Sequence, residues 1–171
     1  MSGQPDIDPR ITLGNTERAG NQFAASIGTG NNVFTAFIEG NAIKVKCSGK
    51  GGKNISEAEK LIDVTGNEKL KLLKVASRGD IAVVVAVIDD GTQEFKVRGS
   101  TGKIQTIPGS SPPTYRFIHQ QCPDGKVHRG SEIYDLAIRI NDDGTSDDYI
   151  FVKSSQGADV SHVGHHPNAP S

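Results

Sequence analysis

The strongest hydrophobic signal in the chain is the run VVVAVI at residues 83–88. Five of these six residues are β-branched, which favours a strand buried on both faces over a helix. Residues 89–91, Asp-Asp-Gly, fit a three-residue hairpin loop whose glycine takes the left-handed conformation. The alternating stretch that follows would return with Val85 opposite Phe95. The pattern therefore predicts a central hairpin with one apolar face.

Two further hairpins show related patterns. A two-residue turn at Gly40 and Asn41 gives three apolar pairs: Ile38 with Ile43, Ala36 with Val45, and Phe34 with Cys47. Residues 136–152 repeat the Asp-Asp-Gly-Thr turn of the central hairpin, with Gly144 in the place of Gly91. Three evenly spaced hairpins are explained by a threefold β repeat or by convergence on favourable turn chemistry, and we favour convergence.

A short helix is predicted between the first two hairpins. Ser56 and Glu59 have the spacing of a capping box, ahead of the apolar residues Leu61 and Ile62. We therefore expect a helix over residues 57–63, and a strand is the alternative.

The predicted fold is all-β: a single antiparallel sandwich or barrel built from hairpins, with the short helix near residues 57–63. A chain of 171 residues suits one domain with a real core. We place that domain at residues 11–153, after a flexible N-terminal arm at 1–10. Residues 154–171, with glycine, proline and three histidines, are expected to form a flexible C-terminal tail.

Composition narrows the function classes. A formal charge of −1 gives no broad electrostatic footprint for nucleic acid, so no nucleic-acid partner is expected. No stretch approaches the roughly 20 apolar residues of a membrane span, so the protein is expected to be soluble, and either cytoplasmic or secreted after removal of a leader. Two cysteines, Cys47 and Cys122, are too few for a disulfide scaffold, and two buried, reduced thiols are expected.

An acidic cluster at the third hairpin is the first candidate site. Asp142, Asp143, Asp147 and Asp148 could supply oxygen ligands for calcium, although their spacing does not match an EF-hand loop. The alternative, which we favour, is that the first two serve the turn while Asp147 pairs with Arg139 across the hairpin. The same register places Asp148 on the apolar face of the hairpin. This mismatch indicates a bulge, a different register or a residue that binds a ligand.

Two other groups carry possible chemistry. The glycine- and lysine-rich loop at residues 48–54 could hold an anion through Lys50 and Lys53, although it lacks the Walker pattern. His119, Cys122 and His128 flank one predicted turn and could form a zinc site, but a fourth ligand is missing. Surface histidines and a core cysteine are the simpler interpretation of that set.

These features favour a non-enzymatic recognition module that binds carbohydrate or another cell-surface ligand. The expected partner is therefore a glycan or a protein, and calcium is a candidate cofactor. The candidate ligand-binding residues are Lys50, Lys53, Asp147 and Asp148.

One alternative is a small β-barrel enzyme with a buried pocket, whose acids and bases would be Glu132, Tyr134, Asp135 and His119. The other alternative is a structural or protein-interaction domain.

Overall fold

The computed structural model describes residues 23–27, 31–49, 55–109, 111, 113–128, 132–154 and 157–170. Within these ranges the protein is all-β, as predicted, and its strands form three antiparallel sheets. The sheets are open, so the described residues form no closed barrel, and their layered packing fits a sandwich. The described part of the chain contains no helix, and therefore none that could cross a membrane.

The first sheet contains the hairpin predicted around Gly40. Its strands, in spatial order, are β1 (Phe23–Ile27), β2 (Val33–Glu39), β3 (Ala42–Ser48) and β4 (Glu59–Asp63). Strands β2 and β3 pair in the predicted register, including Ile38 with Ile43 and Phe34 with Cys47. Gly40 has a φ of 60°, a conformation that glycine adopts without a side-chain penalty. The two-residue turn was therefore sufficient to set this register.

The helix predicted over residues 57–63 is wrong, because residues 59–63 form strand β4 and residues 57–58 precede it without helical structure. The Ser56 hydroxyl caps no helix: it accepts a hydrogen bond from the Cys47 N–H at 2.9 Å. A register shift in the pairing of β3 with β4 makes Leu61 an extra residue, so that Leu61 and Ile62 are both buried. The capping-box spacing of Ser56 and Glu59 misled the prediction, and the bulge removed the apolar alternation that would have indicated a strand.

The central sheet is built on the apolar run. Its strands are β5 (Lys69–Arg78), β6 (Ile81–Asp89), β7 (Glu94–Ile107), β8 (Thr114–Gln121) and β9 (Gly125–His128). They pair in the order β5-β6-β7-β8, and β9 pairs with the start of β7 on the same edge as β8. Strand β6 is buried on both faces, as predicted.

The predicted register of the central hairpin is wrong by four residues. Val85 lies opposite Gly99 rather than Phe95, although an even shift leaves the two faces unchanged. The loop is longer than predicted because the carboxylates of Asp89 and Asp90 accept hydrogen bonds from backbone N–H groups two residues further on. The first two residues of β7, Glu94 and Phe95, lie beyond the pairing with β6 and pair with β9 on the other edge of β7.

The third sheet contains a strand that was not predicted. Its strands, in order, are β10 (Glu132–Ile140), β11 (Ser146–Ser154) and β12 (Gly157–His166). Strand β12 lies in the segment expected to be a flexible tail, and it pairs with β11 along its whole length. The sequence of β12 shows no apolar alternation because its inward positions include a glycine and a histidine, Gly164 and His166.

Two hydrophobic cores lie on opposite faces of the central sheet. One core packs β6 residues such as Val84 and Ile88 against the first sheet, and the other packs Val83 and Val85 against the third sheet. Both cysteines are buried and unpaired, as expected. Burial raises the pKa of Cys47 to about 11.

Candidate functional site

Consecutive aspartates on β11 point to opposite faces of the third sheet. Asp147 pairs with Arg139 on β10, and Asp148 pairs with Ile138, which confirms the register predicted for the third hairpin. Asp147 therefore lies on the outer face, while Asp148 lies on the inner face and is fully buried. Strand β12 contributes two histidines, His162 and His165, to the outer face and one, His166, to the inner face.

The outer carboxylate of Asp147 holds a group of polar side chains together. Its Oδ2 atom accepts hydrogen bonds from Arg139 Nη2 at 2.8 Å and from Asn141 Nδ2 at 3.0 Å. Its Oδ1 atom lies 2.7 Å from His165 Nδ1 and 3.4 Å from His162 Nε2. These hydrogen bonds, chiefly that from Arg139 and next that from His165, hold the pKa of Asp147 well below its usual range. We call these five residues the outer cluster.

A β-bulge brings both histidines to the outer face. Residues three apart in a regular strand face opposite ways. Here the pairing of β11 with β12 shifts register beside Tyr149, where Val163 is the extra residue. His162 therefore lies opposite Tyr149 while His165 lies opposite Asp147, and both rings approach the same carboxylate.

Aromatic and apolar side chains continue the outer face beyond the outer cluster. The Tyr149 ring lies with its centroid 5.2 Å from that of His162 and 5.7 Å from the Arg139 guanidinium carbon. Next along the sheet, Phe151 and Val160 form a cross-strand pair and are 38% and 48% exposed. This face therefore combines charged, hydrogen-bonding and apolar groups on rigid strands.

The inner face carries the second pair, Asp148 with His166. Asp148 Oδ1 and His166 Nε2 lie 2.7 Å apart, and both side chains are almost fully buried. Two glycines make room for the pair: a Cβ at Gly164 would collide with the Asp148 carboxylate, and a Cβ at Gly99 would lie 3.2 Å from the His166 ring. Nearby, burial and the Asp148 charge raise the pKa of Cys122 to about 12.

The inner pair lies among other buried polar atoms. The hydroxyls of Thr101 and Ser146 are buried, and Ser146 lies opposite His166 in the β11–β12 pairing. Within the described residues, neither hydroxyl has a hydrogen-bond partner, and the close contact between Asp148 and His166 lacks the alignment of a hydrogen bond. Such groups are costly to bury, so their environment tolerates little change.

The four predicted calcium ligands do not converge. Asp142 is exposed and accepts a hydrogen bond from Arg78 Nη1 at 2.8 Å, and Asp143 accepts one from the Thr145 N–H at 3.0 Å. The remaining two carboxylates lie on opposite faces of the sheet. They diverge because neighbouring side chains alternate along a strand, whereas a calcium site needs its oxygens on one side.

The other predicted groups are also dispersed or lie outside the described residues, as Lys50 and Lys53 do. His119 stacks on Phe117, which belongs to the first core, whereas Cys122 lies near Asp148 on the other face. Burial lowers the pKa of His119. Across the described ranges, no three His, Cys, Asp or Glu side chains stand ready to hold a metal ion.

The residues proposed for an enzyme are divided between two sheets. Glu132, Tyr134 and Asp135 lie on β10, and Asp135 Oδ1 forms an ion pair with Lys74 Nζ at 3.0 Å. His119 lies on β8, on the face of the central sheet that is turned away from the third sheet. This arrangement gives them no common pocket.

Comparisons of the chain with protein-family models, with curated proteins and with solved structures found no match. The function is therefore inferred from the chemistry of the outer and inner faces.

His162, His165 and Tyr149 were not predicted as site residues from the sequence. The available signal was a pair of adjacent aspartates followed, later in the chain, by a pair of adjacent histidines, at residues 147–148 and 165–166. Strand alternation sends one member of each pair to each face, so two aspartate–histidine contacts result. That inference requires a strand at residues 157–166. The polar composition of this segment did not predict a strand there.

Proposed function

We propose that this protein is a non-enzymatic recognition module whose contact surface is the outer face of the β10–β11–β12 sheet. The ligand class is a carbohydrate or another cell-surface molecule. The observation that carries the proposal is the outer cluster, in which one carboxylate orients a guanidinium and two imidazoles that all face solvent.

The exposure of these groups supports ligand binding. The side chains of Arg139, His162 and His165 are 64%, 51% and 61% exposed although each contacts Asp147. Their positions are therefore fixed while part of each polar group can still meet a ligand. Hydroxyl-rich ligands are bound by such converging donors and acceptors beside aromatic groups, here Tyr149.

A protein ligand is the second candidate, and the Phe151–Val160 pair favours it. These apolar side chains are exposed next to each other on the same face, and exposed aromatic groups beside arginine are typical of protein interfaces. The two candidates use different ends of one surface, so they can be distinguished by substitution.

The first experiment measures binding of the fluorescently labelled full chain to a glycan array and to intact cells. We expect Arg139→Gln and His162→Gln to weaken binding at least about tenfold, because each removes a donor from the outer cluster. Arg116→Gln is the matched control: this arginine is exposed on the central sheet, and its loss should leave binding unchanged.

Enzymatic treatment of the cells separates the two ligand classes. Loss of binding after glycosidase treatment supports a carbohydrate, whereas loss after protease treatment, together with a strong effect of Phe151→Ser, supports a protein. Native protein that binds neither cells nor any glycan contradicts the proposal, and so does equal loss of binding in the Arg116→Gln control.

A further inference from the structure

The positive charge of the outer cluster is more exposed than its negative charge. The Asp147 side chain is 10% exposed, whereas those of Arg139, His162 and His165 are 64%, 51% and 61% exposed. Both oxygens of the carboxylate are already engaged in hydrogen bonds within the cluster. A ligand on this face therefore contacts the guanidinium and the imidazoles rather than the carboxylate.

The carboxylate also fixes which nitrogen of His165 carries a proton. Hydrogen bonds, chiefly that from Arg139, hold the pKa of Asp147 well below its usual range, so it stays ionised at the pH values at which histidines titrate. An ionised carboxylate only accepts hydrogen bonds, so the proton is on Nδ1 of His165, 2.7 Å from Oδ1. In the neutral ring Nε2 is then an acceptor, which repels the oxygen atoms of an anion. Protonation makes Nε2 a donor and adds a positive charge.

The net charge of the outer cluster therefore depends on pH. While both imidazoles are neutral, the charges of Arg139 and Asp147 cancel, and each imidazole that is protonated adds one positive charge. Histidine changes its charge between about pH 5 and pH 8. The β-bulge on β12 places both rings on one face, so both charges act on the same ligand.

Two further titratable groups lie close to the histidines. The Asp143 carboxylate, exposed on the adjoining turn, interacts electrostatically with His165. Like Asp147, it favours the protonated ring. The Tyr149 ring, whose centroid lies 5.2 Å from that of His162, is uncharged between pH 5 and 8 in its ordinary state. The neighbouring acidic groups therefore support protonation of the histidines as the pH falls.

We propose that the outer cluster binds the anionic group of an acidic carbohydrate, a sulfate or a carboxylate, and that this binding strengthens as the pH falls from about 7.5 to about 5.5. The inference rests on the function proposed above and specifies its ligand class. Arg139 supplies a permanent charge and a planar set of N–H donors that suits both anionic groups, and the histidines add donors and charge on protonation. Tyr149, which lies beside Arg139 and His162, offers an apolar surface to a sugar ring.

The test uses the full chain, without a histidine tag, on an array of glycan pairs that differ only in a sulfate or a carboxylate group. The native protein should bind the acidic member of a pair more strongly than the neutral member. Its affinity for the acidic member should rise about fivefold or more between pH 7.5 and pH 5.5, which is the effect of about one added charge close to an exposed anion. Added salt should reduce this gain, because it screens exposed charges.

Substitutions assign the pH dependence to particular side chains. His162→Gln and His165→Gln should each reduce the ratio of the affinity at pH 5.5 to that at pH 7.5, because each removes one protonatable ring. Arg139→Lys, which keeps the charge, should retain more binding than Arg139→Gln. His128→Gln is the matched control: it changes an exposed histidine on β9 and should keep the native ratio. Circular dichroism verifies that each variant is folded.

The outcomes separate this inference from the function on which it rests. Equal binding of acidic and neutral glycans contradicts the inference and leaves the recognition function standing. An affinity that does not change with pH, or a native ratio in both folded histidine variants, does the same. Binding only to a protease-sensitive ligand on cells shows that the ligand is a protein, which also contradicts the inference. Native protein that binds neither cells nor any glycan contradicts both proposals.

Discussion

Aspartate–histidine contacts join β11 to β12 on both faces of the same sheet, and the shortest contact on each face allows a direct comparison. Asp147 meets His165 at 2.7 Å on the outer face, and Asp148 meets His166 at 2.7 Å on the inner face. The outer carboxylate has several further partners and its histidine is 61% exposed, whereas the inner histidine is 2% exposed.

Burial is what separates the two contacts. The Asp147 side chain is only 10% exposed, but a pair whose histidine is exposed is stabilised weakly because water competes for the histidine, which also stays available to a ligand. A buried pair cannot be reached by a ligand, and removal of one member leaves the other without compensation in an apolar interior. The same residue types therefore suit recognition on one face and structural specificity on the other.

The largest expected effect on stability comes from removing the buried histidine, and removal of the exposed histidine is the matched comparison. His166→Ala should lower the free energy of unfolding by about 3–5 kcal/mol, because Asp148 would remain buried without its partner. His165→Ala, the matched change on the outer face, should cost no more than about 1 kcal/mol. Urea unfolding at neutral pH measures both. Equal losses in the two variants would remove the distinction drawn between the faces.

A smaller effect is expected from filling the space beside the inner pair. Gly164→Ala should destabilise the fold by about 1–3 kcal/mol, because its Cβ would collide with the Asp148 carboxylate. Gly99→Ala should cost less, since its Cβ would lie at 3.2 Å from the edge of the His166 ring. The double variant Gly164→Ala/Asp148→Ala should lose less stability than the sum of the single variants. Additive losses would show that the glycine serves another purpose.

The smallest effect is expected at the outer carboxylate. Asp147→Asn should reduce stability by no more than about 1 kcal/mol at pH 7, because its partners Arg139 and His165 are 64% and 61% exposed, although the Asp147 side chain itself is only 10% exposed. Because the folded-state pKa of Asp147 is lowered, its contribution is present above the unfolded pKa of about 4 and is lost as the pH falls further. Melting temperatures from about pH 3 to pH 7 should therefore fall less towards acid in the variant than in the native protein. Parallel curves would contradict this assignment.

Local patterns were sufficient for much of the fold. The β-branched run gave the central strand, and the turns at Gly40 and Gly144 gave correct registers, because each short loop fixes the pairing of its own strands. The register of the central hairpin could not be obtained in this way. Its loop is set by the hydrogen bonds that the side chains of Asp89 and Asp90 accept from the backbone, which a turn pattern alone does not specify.

The candidate site was predictable only in part. Sequence analysis identified Asp147 and its partner Arg139, and it identified Asp148 as a residue that did not fit its apolar face. It could not identify the histidines, because their roles depend on a polar strand and on the bulge at Val163. Those features arise from packing between sheets, which a local pattern does not report.

The position of His166 on β12 also constrains the order in which the chain can fold while it is being synthesised. Strand β11 leaves the ribosome before β12, so a nascent chain that extends only through β11 carries Asp148 without the histidine that meets it. Docking of the third sheet onto the central sheet would then bury a carboxylate alone, which is unfavourable. The second core should therefore close only after β12 has emerged, which makes translation of that strand the step that commits the nascent chain to its native packing.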